Sequence, residues 1–151
     1  YVCRMGYPVY THDGYITSSY FGNLGFAYPT ALGAKVAAPD RPVVCISGDG
    51  GFLFNSQEMA TAMQYGIHVV VVVFNDNAYG NVYRDQLNKY DGRVIASQLQ
   101  NPDFVQLAKS YGMDAVRINE PNELEIELSK AINRNRSCLI EVSVGMMASP
   151  W

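Results

Sequence analysis

The sequence predicts a doubly wound α/β domain, in which helices cover both faces of one parallel sheet. Residues 42–47 and 67–74 form apolar, β-branched runs, which is how strands buried on both faces appear in a sequence. Helix-like segments alternate with these strands along the chain, as this class requires. A length of 151 residues, with 48% apolar and 17% charged residues, fits a single domain with one core over residues 1–151.

The predicted elements follow one another in a regular order. We interpret residues 1–20 as a loop with a short strand at residues 15–18, and residues 22–26 as a glycine-rich turn. The predicted helices span residues 28–38, 52–65, 102–111 and 121–134. The predicted strands span residues 42–47, 67–74, 115–118 and 138–144, and residues 75–86 are predicted to form a polar loop. Gly66 and Gly112 are interpreted as helix stops.

Charge and cysteine content exclude several classes of protein. The net charge is −3 without long runs of one sign, which argues against a nucleic-acid groove and against an electrostatic membrane anchor. No apolar run approaches the ~18 residues of a membrane span. Three cysteines lie far apart, so we expect buried thiols in a reducing compartment, the cytoplasm. Because the chain begins with Tyr1 and not Met, we expect a fragment or a processed chain.

Two loops at predicted strand ends carry the residue types that phosphates and metal ions require. The first loop is Gly48-Asp49-Gly50-Gly51, between a strand and a helix, and the second begins with Asn75 and Asp76. Ligands of open parallel sheets bind beyond the carboxyl ends of the strands, and consecutive strands are often neighbours. We therefore expect the two loops to face one site.

The composition of the first loop predicts a phosphate held through a cation. Glycines let the backbone approach a phosphate closely, and the following helix directs free N–H groups to the same point. Asp49 would repel a phosphate unless a divalent cation lay between them. Mg²⁺ prefers six oxygens at ~2.1 Å, from one or two carboxylates and the ligand phosphates. Asp49 and Asp76 would supply the carboxylates, and a main-chain carbonyl near Ala78 a further oxygen.

Two other phosphate-binding motifs do not match the residues of the first loop. A dinucleotide fingerprint would need a third glycine where Leu53 stands, and the Gly-Lys-Ser/Thr of a P-loop is absent. Taken singly, Asp49 and Asp76 would be a turn residue and a loop cap; their combination with the glycines favours the metal site. His68 lies at the amino end of its predicted strand, away from the site, so we interpret it as a structural residue. We favour a structural interpretation for His12 as well.

The paired motif resembles the signature of thiamine diphosphate enzymes. Gly48-Asp49-Gly50 is followed, after 24 residues, by Asn75-Asp76, and residues 22–26 and 31–35 are similar to the segment that precedes this motif in those enzymes. The resemblance covers essentially the whole chain. It is to the C-terminal, diphosphate-binding domain of the acetolactate synthase and benzoylformate decarboxylase superfamily.

The resemblance implies a role for each matching residue. Asp49 and Asp76 would bind Mg²⁺ by their side chains, and Ala78 by its carbonyl. Leu24 would prop thiamine diphosphate in its bent shape, and the Gly22 carbonyl would accept from the pyrimidine 4′-amino group; these two are the implied catalytic residues. The implied cofactor-binding residues are Gly22, Leu24, Gly48, Asp49, Gly50, Gly51, Asp76, Ala78, Tyr79 and Gly80.

Some residue-level alternatives stay open at this point. Without the resemblance, Leu24 is equally well an ordinary core residue and Gly22 a simple turn glycine. Tyr79, Asn81 and Arg84 follow the metal loop, and they either line a substrate channel or belong to a solvated loop.

The chain departs from the family pattern in three respects. Asp76 stands where the second Asn is usual, and Gly51 stands where Ser is common. The activating Glu lies in a separate pyrimidine-binding domain that nothing here matches. We therefore expect one domain of a larger multidomain enzyme, a homodimer or tetramer, whose isolated chain is inactive. The implied substrate is a 2-keto acid, with decarboxylation and carboligation both open; the alternative is a non-catalytic or regulatory module that keeps the fold.

Overall fold

One four-stranded parallel sheet forms the centre of the domain. The computed structural model describes residues 2–18 and 20–146. The strands are β1 (Val44–Gly48), β2 (Val70–Asn75), β3 (Asp114–Ile118) and β4 (Cys138–Ser143), and their order across the sheet is β1-β2-β4-β3. All neighbouring strands pair in parallel. The prediction that consecutive strands β1 and β2 are neighbours is confirmed.

Among the described residues, two helices precede the first strand, and the other helices lie between the strands along the chain. They are α1 (Val2–Gly6), α2 (Ala27–Ala37), α3 (Asp49–Leu53), α4 (Met59–Tyr65), α5 (Gly80–Lys89), α6 (Phe104–Ser110) and α7 (Pro121–Arg134), with a 3₁₀ turn at Ser56–Glu58. Gly66 ends α4 in the left-handed conformation, with φ of 61°, as predicted. None of these helices combines the length and the apolar character that a membrane crossing requires.

The run of valines in β2 supplies two cores, one on each face of the sheet. Because side chains alternate along a strand, Val71 and Val73 pack with residues of α2, α4 and α6. Val70 and Val72 face the other way and pack with residues of α7. The predicted doubly wound class, with helices on both faces, is confirmed.

The prediction that β1 is fully buried is wrong. Cys45 is buried, but Val44 and Ile46 are 36% and 43% exposed. These two side chains point to the face that α7 covers, and α7 contacts β2, β3 and β4. Because β1 is an edge strand of the sheet, α7 does not cover these two side chains.

The predicted helix at residues 52–65 is also wrong, because it is broken after Leu53. Asn55 leaves the helical region, with φ of −139°, between α3 and the 3₁₀ turn. Its side chain donates a hydrogen bond of 2.9 Å to the Gly25 carbonyl. The break thus ties the first site loop to the turn at residues 22–26.

Two further predictions are wrong. Residues 75–86 do not form one polar loop, because α5 begins at Gly80; the helix is polar and carries an Asp85–Lys89 pair along its surface. Residues 15–18 do not form the predicted strand. The region predicted as loop begins with a short helix, α1.

Candidate metal and diphosphate site

Asp49 and Asp76 directly follow β1 and β2, at the carboxyl ends of these two strands. The last residue of β1, Gly48, is in register with Phe74 of β2, so both carboxylates lie just beyond neighbouring strand ends. Asp49 begins α3 and is buried, with 2% of its surface exposed. Burial, and after it the nearby charge of Asp49, raises the pKa of the Asp76 carboxyl above its ordinary value. A carboxyl group whose charge is disfavoured by burial and by a second carboxylate fits a site for a bound cation.

In the second loop, a backbone N–H group donates to one carboxylate oxygen of Asp76, Oδ1, and not to the other, Oδ2. Asp76 Oδ1 accepts the Ala78 N–H at 3.1 Å, and Asn75 Oδ1 accepts the Asn77 N–H at 3.2 Å. Asn77 has a φ of 56°, which turns the chain sharply. A Cβ on Gly80 would lie 2.7 Å from Asp76 Oδ2, so glycine at this position leaves room for the carboxylate.

The carbonyl of Ala78 is left available by the pairing of its neighbours. The Tyr79 N–H donates to the Ser97 carbonyl at 2.8 Å, and the Leu99 N–H donates to the Asn77 carbonyl at 2.7 Å. Ala78 itself stands opposite Gln98 in an antiparallel bridge. In such a pair the bonds flank the central residue, whose own N–H and C=O point away from the partner strand. The Ala78 carbonyl therefore points away from residues 97–99.

The glycines of the first loop differ in what surrounds them. A Cβ on Gly50 would lie 2.5 and 2.7 Å from the Tyr79 ring and 3.0 Å from Leu99, so this glycine lets the second loop pack against the first. A Cβ on Gly48 would meet nothing within 4 Å. The first turn of α3, which begins directly after Gly48, has free backbone N–H groups. Because α3 has only five residues, its dipole is weaker than that of the longer helix predicted from the sequence.

Leu24 lies beside the first loop and is not a core residue. Its side chain is 49% exposed, and its Cδ2 lies 3.6 Å from the Cβ position of Gly51. The alternative that Leu24 belongs to the core is therefore wrong. Gly22 has a φ of 64°, a conformation that favours glycine, so a simple turn role accounts for its identity.

Asn101 is a site residue that the sequence did not reveal. Its Nδ2 donates to Asp49 Oδ2 at 2.6 Å and to Asn75 Oδ1 at 2.9 Å, and a longer contact of 3.4 Å reaches Asn77 Oδ1. It lies in the connection before α6, far from any predicted strand end. No motif marks it; the only local signal is that polar residues and Pro102 precede a capped helix.

Arg84 also contributes to the electrostatics of the site. Its positive charge lowers the pKa of Asp76, which partly offsets the effects of burial and of Asp49. It lies on α5 and is half-buried, and its Nη1 donates to Asn81 Oδ1 at 3.1 Å. The interpretation of Tyr79, Asn81 and Arg84 as a solvated loop is therefore wrong.

Of the two histidines, His68 lies away from the site and His12 contacts its neighbour Asp13. His12 is exposed, with its Nδ1 2.7 Å from Asp13 Oδ2. His68 precedes β2 at the opposite edge of the sheet, near Lys35 and Asn135. Within residues 2–18 and 20–146, no three His, Cys, Asp or Glu side chains are grouped to hold a metal ion. Two carboxylates suit a cation such as Mg²⁺, which takes its remaining ligands from carbonyls, waters and a phosphate.

A parallel α/β sheet with a glycine-rich acidic loop and an Asn-Asp loop at adjacent strand ends defines a diphosphate-binding domain. The family described as "Thiamine pyrophosphate enzyme, C-terminal TPP binding domain" matches residues 1–142. The chain belongs to this family. The predicted family resemblance is therefore confirmed.

Two curated proteins similar to this chain are named as acetolactate synthase large subunits. The chain is 42% identical over 135 residues to a probable acetolactate synthase large subunit of Methanococcus aeolicus, covering 89% of this chain and 22% of that protein. It is 42% identical over 142 residues to the acetolactate synthase isozyme 3 large subunit of Escherichia coli K12, covering 91% and 25%.

A solved structure is also similar to this chain. The thiamine diphosphate-dependent 4-hydroxybenzoylformate decarboxylase of Rhodococcus jostii RHA1 is similar with a TM-score of 0.77 and 30% identity. The match covers 85% of this chain and 24% of that one. The chain thus spans about a quarter or less of the length of these relatives.

Proposed function

We propose that this chain is the diphosphate- and Mg²⁺-binding domain of a thiamine diphosphate-dependent 2-keto acid decarboxylase or carboligase of the acetolactate synthase type. The observation that carries the proposal is the convergence of Asp49 and Asp76 beyond two paired strands. The family match and the names of the relatives support the cofactor and the reaction class.

The residues present suit the proposed metal. The Asp49 and Asp76 carboxylates and the Ala78 carbonyl are hard oxygen donors, which Mg²⁺ prefers. Burial, and after it the charge of Asp49, raises the pKa of Asp76, and a cation between the two acids would favour the ionised carboxylate against both effects. The diphosphate would complete the shell, and the backbone of residues 48–51 would lie against it.

The turn at residues 22–26 would orient the rest of the cofactor. Leu24 is half exposed beside Gly51, and the exposed half of this apolar side chain suits contact with a thiazolium ring. The Gly22 carbonyl would accept from the pyrimidine amino group, and Tyr79 and Gly80 would border the metal. When bound, thiamine diphosphate supplies an electron sink for making or breaking a bond next to a carbonyl. This chain binds and orients it.

The remainder of the active site lies outside this chain in the proposed arrangement. A pyrimidine-binding domain of the same or a neighbouring subunit would supply the activating Glu, in a homodimer or tetramer in the cytoplasm. The isolated chain would then be inactive, and the small-molecule substrate would be a 2-keto acid. Cofactor binding without turnover of any 2-keto acid by the intact protein would instead support the non-catalytic module.

Replacing Asp49 with alanine tests the metal site directly. In the intact protein that carries this chain, Asp49→Ala should abolish Mg²⁺-dependent binding of thiamine diphosphate, because a buried ligand is removed. Isothermal titration calorimetry measures this loss. Asp40→Ala is the matched control, because Asp40 is an exposed aspartate between α2 and β1. Unchanged binding by Asp49→Ala would reject the metal role.

Replacing Asp76 with asparagine tests the second loop. Asp76→Asn keeps an oxygen donor and removes the charge that opposes Asp49, so the variant should still bind thiamine diphosphate with Mg²⁺. The same calorimetric titration measures it, with the unmodified protein as reference. If binding were lost, the assignment of this loop to the metal would be mistaken.

A further inference from the structure

We infer that Asn101 is a positioning residue for the metal site, which holds the Asp49 carboxylate in place and joins it to the second loop. The inference rests on the proposed function, since it concerns the geometry of the same cation site. Its basis is that one amide nitrogen reaches Asp49 Oδ2 at 2.6 Å and Asn75 Oδ1 at 2.9 Å. These two acceptors belong to different loops.

A neutral donor is well suited to this task. Hydrogen bonds to an ionised carboxylate are short and strong, so the contact with Asp49 fixes one carboxylate oxygen. A lysine or arginine at this position would also orient Asp49, but its charge would compete with the cation. The amide of Asn101 orients the carboxylate and leaves the negative charge of the site available to the metal.

Asn101 is itself held through a chain of polar contacts, in which Glu141 is buried. Asn75 Nδ2 donates to Glu141 Oε1 at 2.8 Å, which sets the Asn75 amide so that its oxygen faces Asn101. Glu141 is 2% exposed and accepts from Arg117 Nε at 2.8 Å. Arg117 in turn lies 3.3 Å from Asp103, two residues beyond Asn101. The contacts close a loop from the site through β2, β4 and β3 and back to the segment that carries Asn101.

The side chain of Asn101 is separable from the backbone pairing that holds the second loop. Residues 97–99 already pair with residues 77–79 through two main-chain hydrogen bonds. Asp103 caps α6 by accepting from the Gln106 N–H at 2.9 Å. Removal of the Asn101 amide should therefore leave the fold in place and change mainly the freedom of Asp49.

The choice between Mg²⁺ and Ca²⁺ distinguishes positioning from a structural role. Mg²⁺ demands near-ideal octahedral geometry, whereas Ca²⁺ accepts six to eight ligands at variable angles. A loosened Asp49 should weaken Mg²⁺ more than Ca²⁺. Residues that orient metal ligands typically affect affinity by about 10–100-fold when mutated, so we expect roughly a 10-fold loss for Mg²⁺.

The experiment uses the intact protein that carries this chain, with saturating thiamine diphosphate. Dissociation constants for Mg²⁺ and Ca²⁺ are measured by calorimetry for the unmodified protein, for Asn101→Ala and for the exposed control Asn133→Ala. We expect a lower Mg²⁺ to Ca²⁺ preference for Asn101→Ala alone, with little change in the metal-free melting temperature. Asn101→Asp keeps the side-chain size but loses the donor, and it should shift the preference in the same direction.

The outcomes separate the two proposals. An unchanged metal preference in a folded Asn101→Ala or Asn101→Asp variant, while the unmodified protein binds both metals, would overturn only the role of Asn101. Equal losses for both metals with a lowered melting temperature would also overturn it, in favour of a structural role. No metal-dependent cofactor binding by the unmodified protein would overturn the proposed function as well.

Discussion

Replacing Gly50 with alanine should destabilise the domain even without cofactor. The new Cβ would lie 2.5 Å from Tyr79 Cε1, 2.7 Å from Tyr79 Cδ1 and 3.0 Å from Leu99 Cδ1, where about 3.5–4 Å is the normal separation of carbon atoms. The Tyr79 ring must therefore move by about 1 Å. Overpacking of this kind costs about 1–3 kcal/mol.

The net effect is smaller than the steric cost. Gly50 lies in α3, whose backbone alanine adopts easily, so the substitution also recovers about 0.4–1 kcal/mol from the unfolded chain. The free energy of unfolding should fall by about 1–2 kcal/mol, from these two contributions. Urea denaturation measures it as a midpoint shift of roughly half to one molar at an unchanged slope.

Two further variants show whether the Tyr79 contact is the cause. Gly33→Ala is the matched control, because a Cβ there meets nothing within 4 Å and the residue is exposed within α2; it should be neutral or stabilising. In a double-mutant cycle, Tyr79→Ala should remove most of the cost of Gly50→Ala. If Gly50→Ala were as stable as Gly33→Ala, or if the two changes were additive, the reasoning would be refuted.

Two predictions concern the polar contacts that support the site. Arg117→Met should lower the free energy of unfolding by about 1–3 kcal/mol, because it leaves the buried Glu141 carboxylate without its cationic partner. Urea denaturation measures this change, and a loss no larger than that of the exposed control Arg134→Met would contradict it. The backbone hydrogen bond from Gln106, followed by the charge of Arg117, lowers the pKa of Asp103. The stability that this charge contributes is present above the unfolded-state pKa and is lost as the pH falls through the lower folded-state pKa. The melting-temperature difference between the native protein and Asp103→Asn should therefore be constant above about pH 5 and shrink on acidification; a difference that grows with acid would contradict the sign.

The fold and the family could be predicted because their signals are local. The apolar runs around Val71 and Ile140 mark strands without reference to the rest of the chain, and α7 has the predicted bounds because a proline start and a helical apolar period both lie within it. The placement of Asp49 and Asp76 at neighbouring strand ends could be predicted because each directly follows a strand. The parallel order of β1 and β2 then brings their ends together.

Two of the errors fall where contacts between distant residues decide the outcome. The exposure of Val44 and Ile46 depends on which strands α7 covers, and the break at Asn55 depends on a carbonyl 30 residues earlier in the chain. Neither follows from propensity, since both segments have the periodicity of the structure that was predicted for them.

Asn101 shows most clearly the difference between features that local sequence specifies and features that depend on contacts between distant residues. Local pattern is enough to specify the strands, the helices α2, α6 and α7 and the two acidic loops, because each depends on side-chain periodicity or on residues adjacent in the chain. Asn101 reaches Asp49 across 52 residues, and its partner Asn75 reaches Glu141 across 66. Such contacts exist only once the sheet order has been set, so the packing of the whole domain, and no short segment of it, determines how the carboxylates of the site are held.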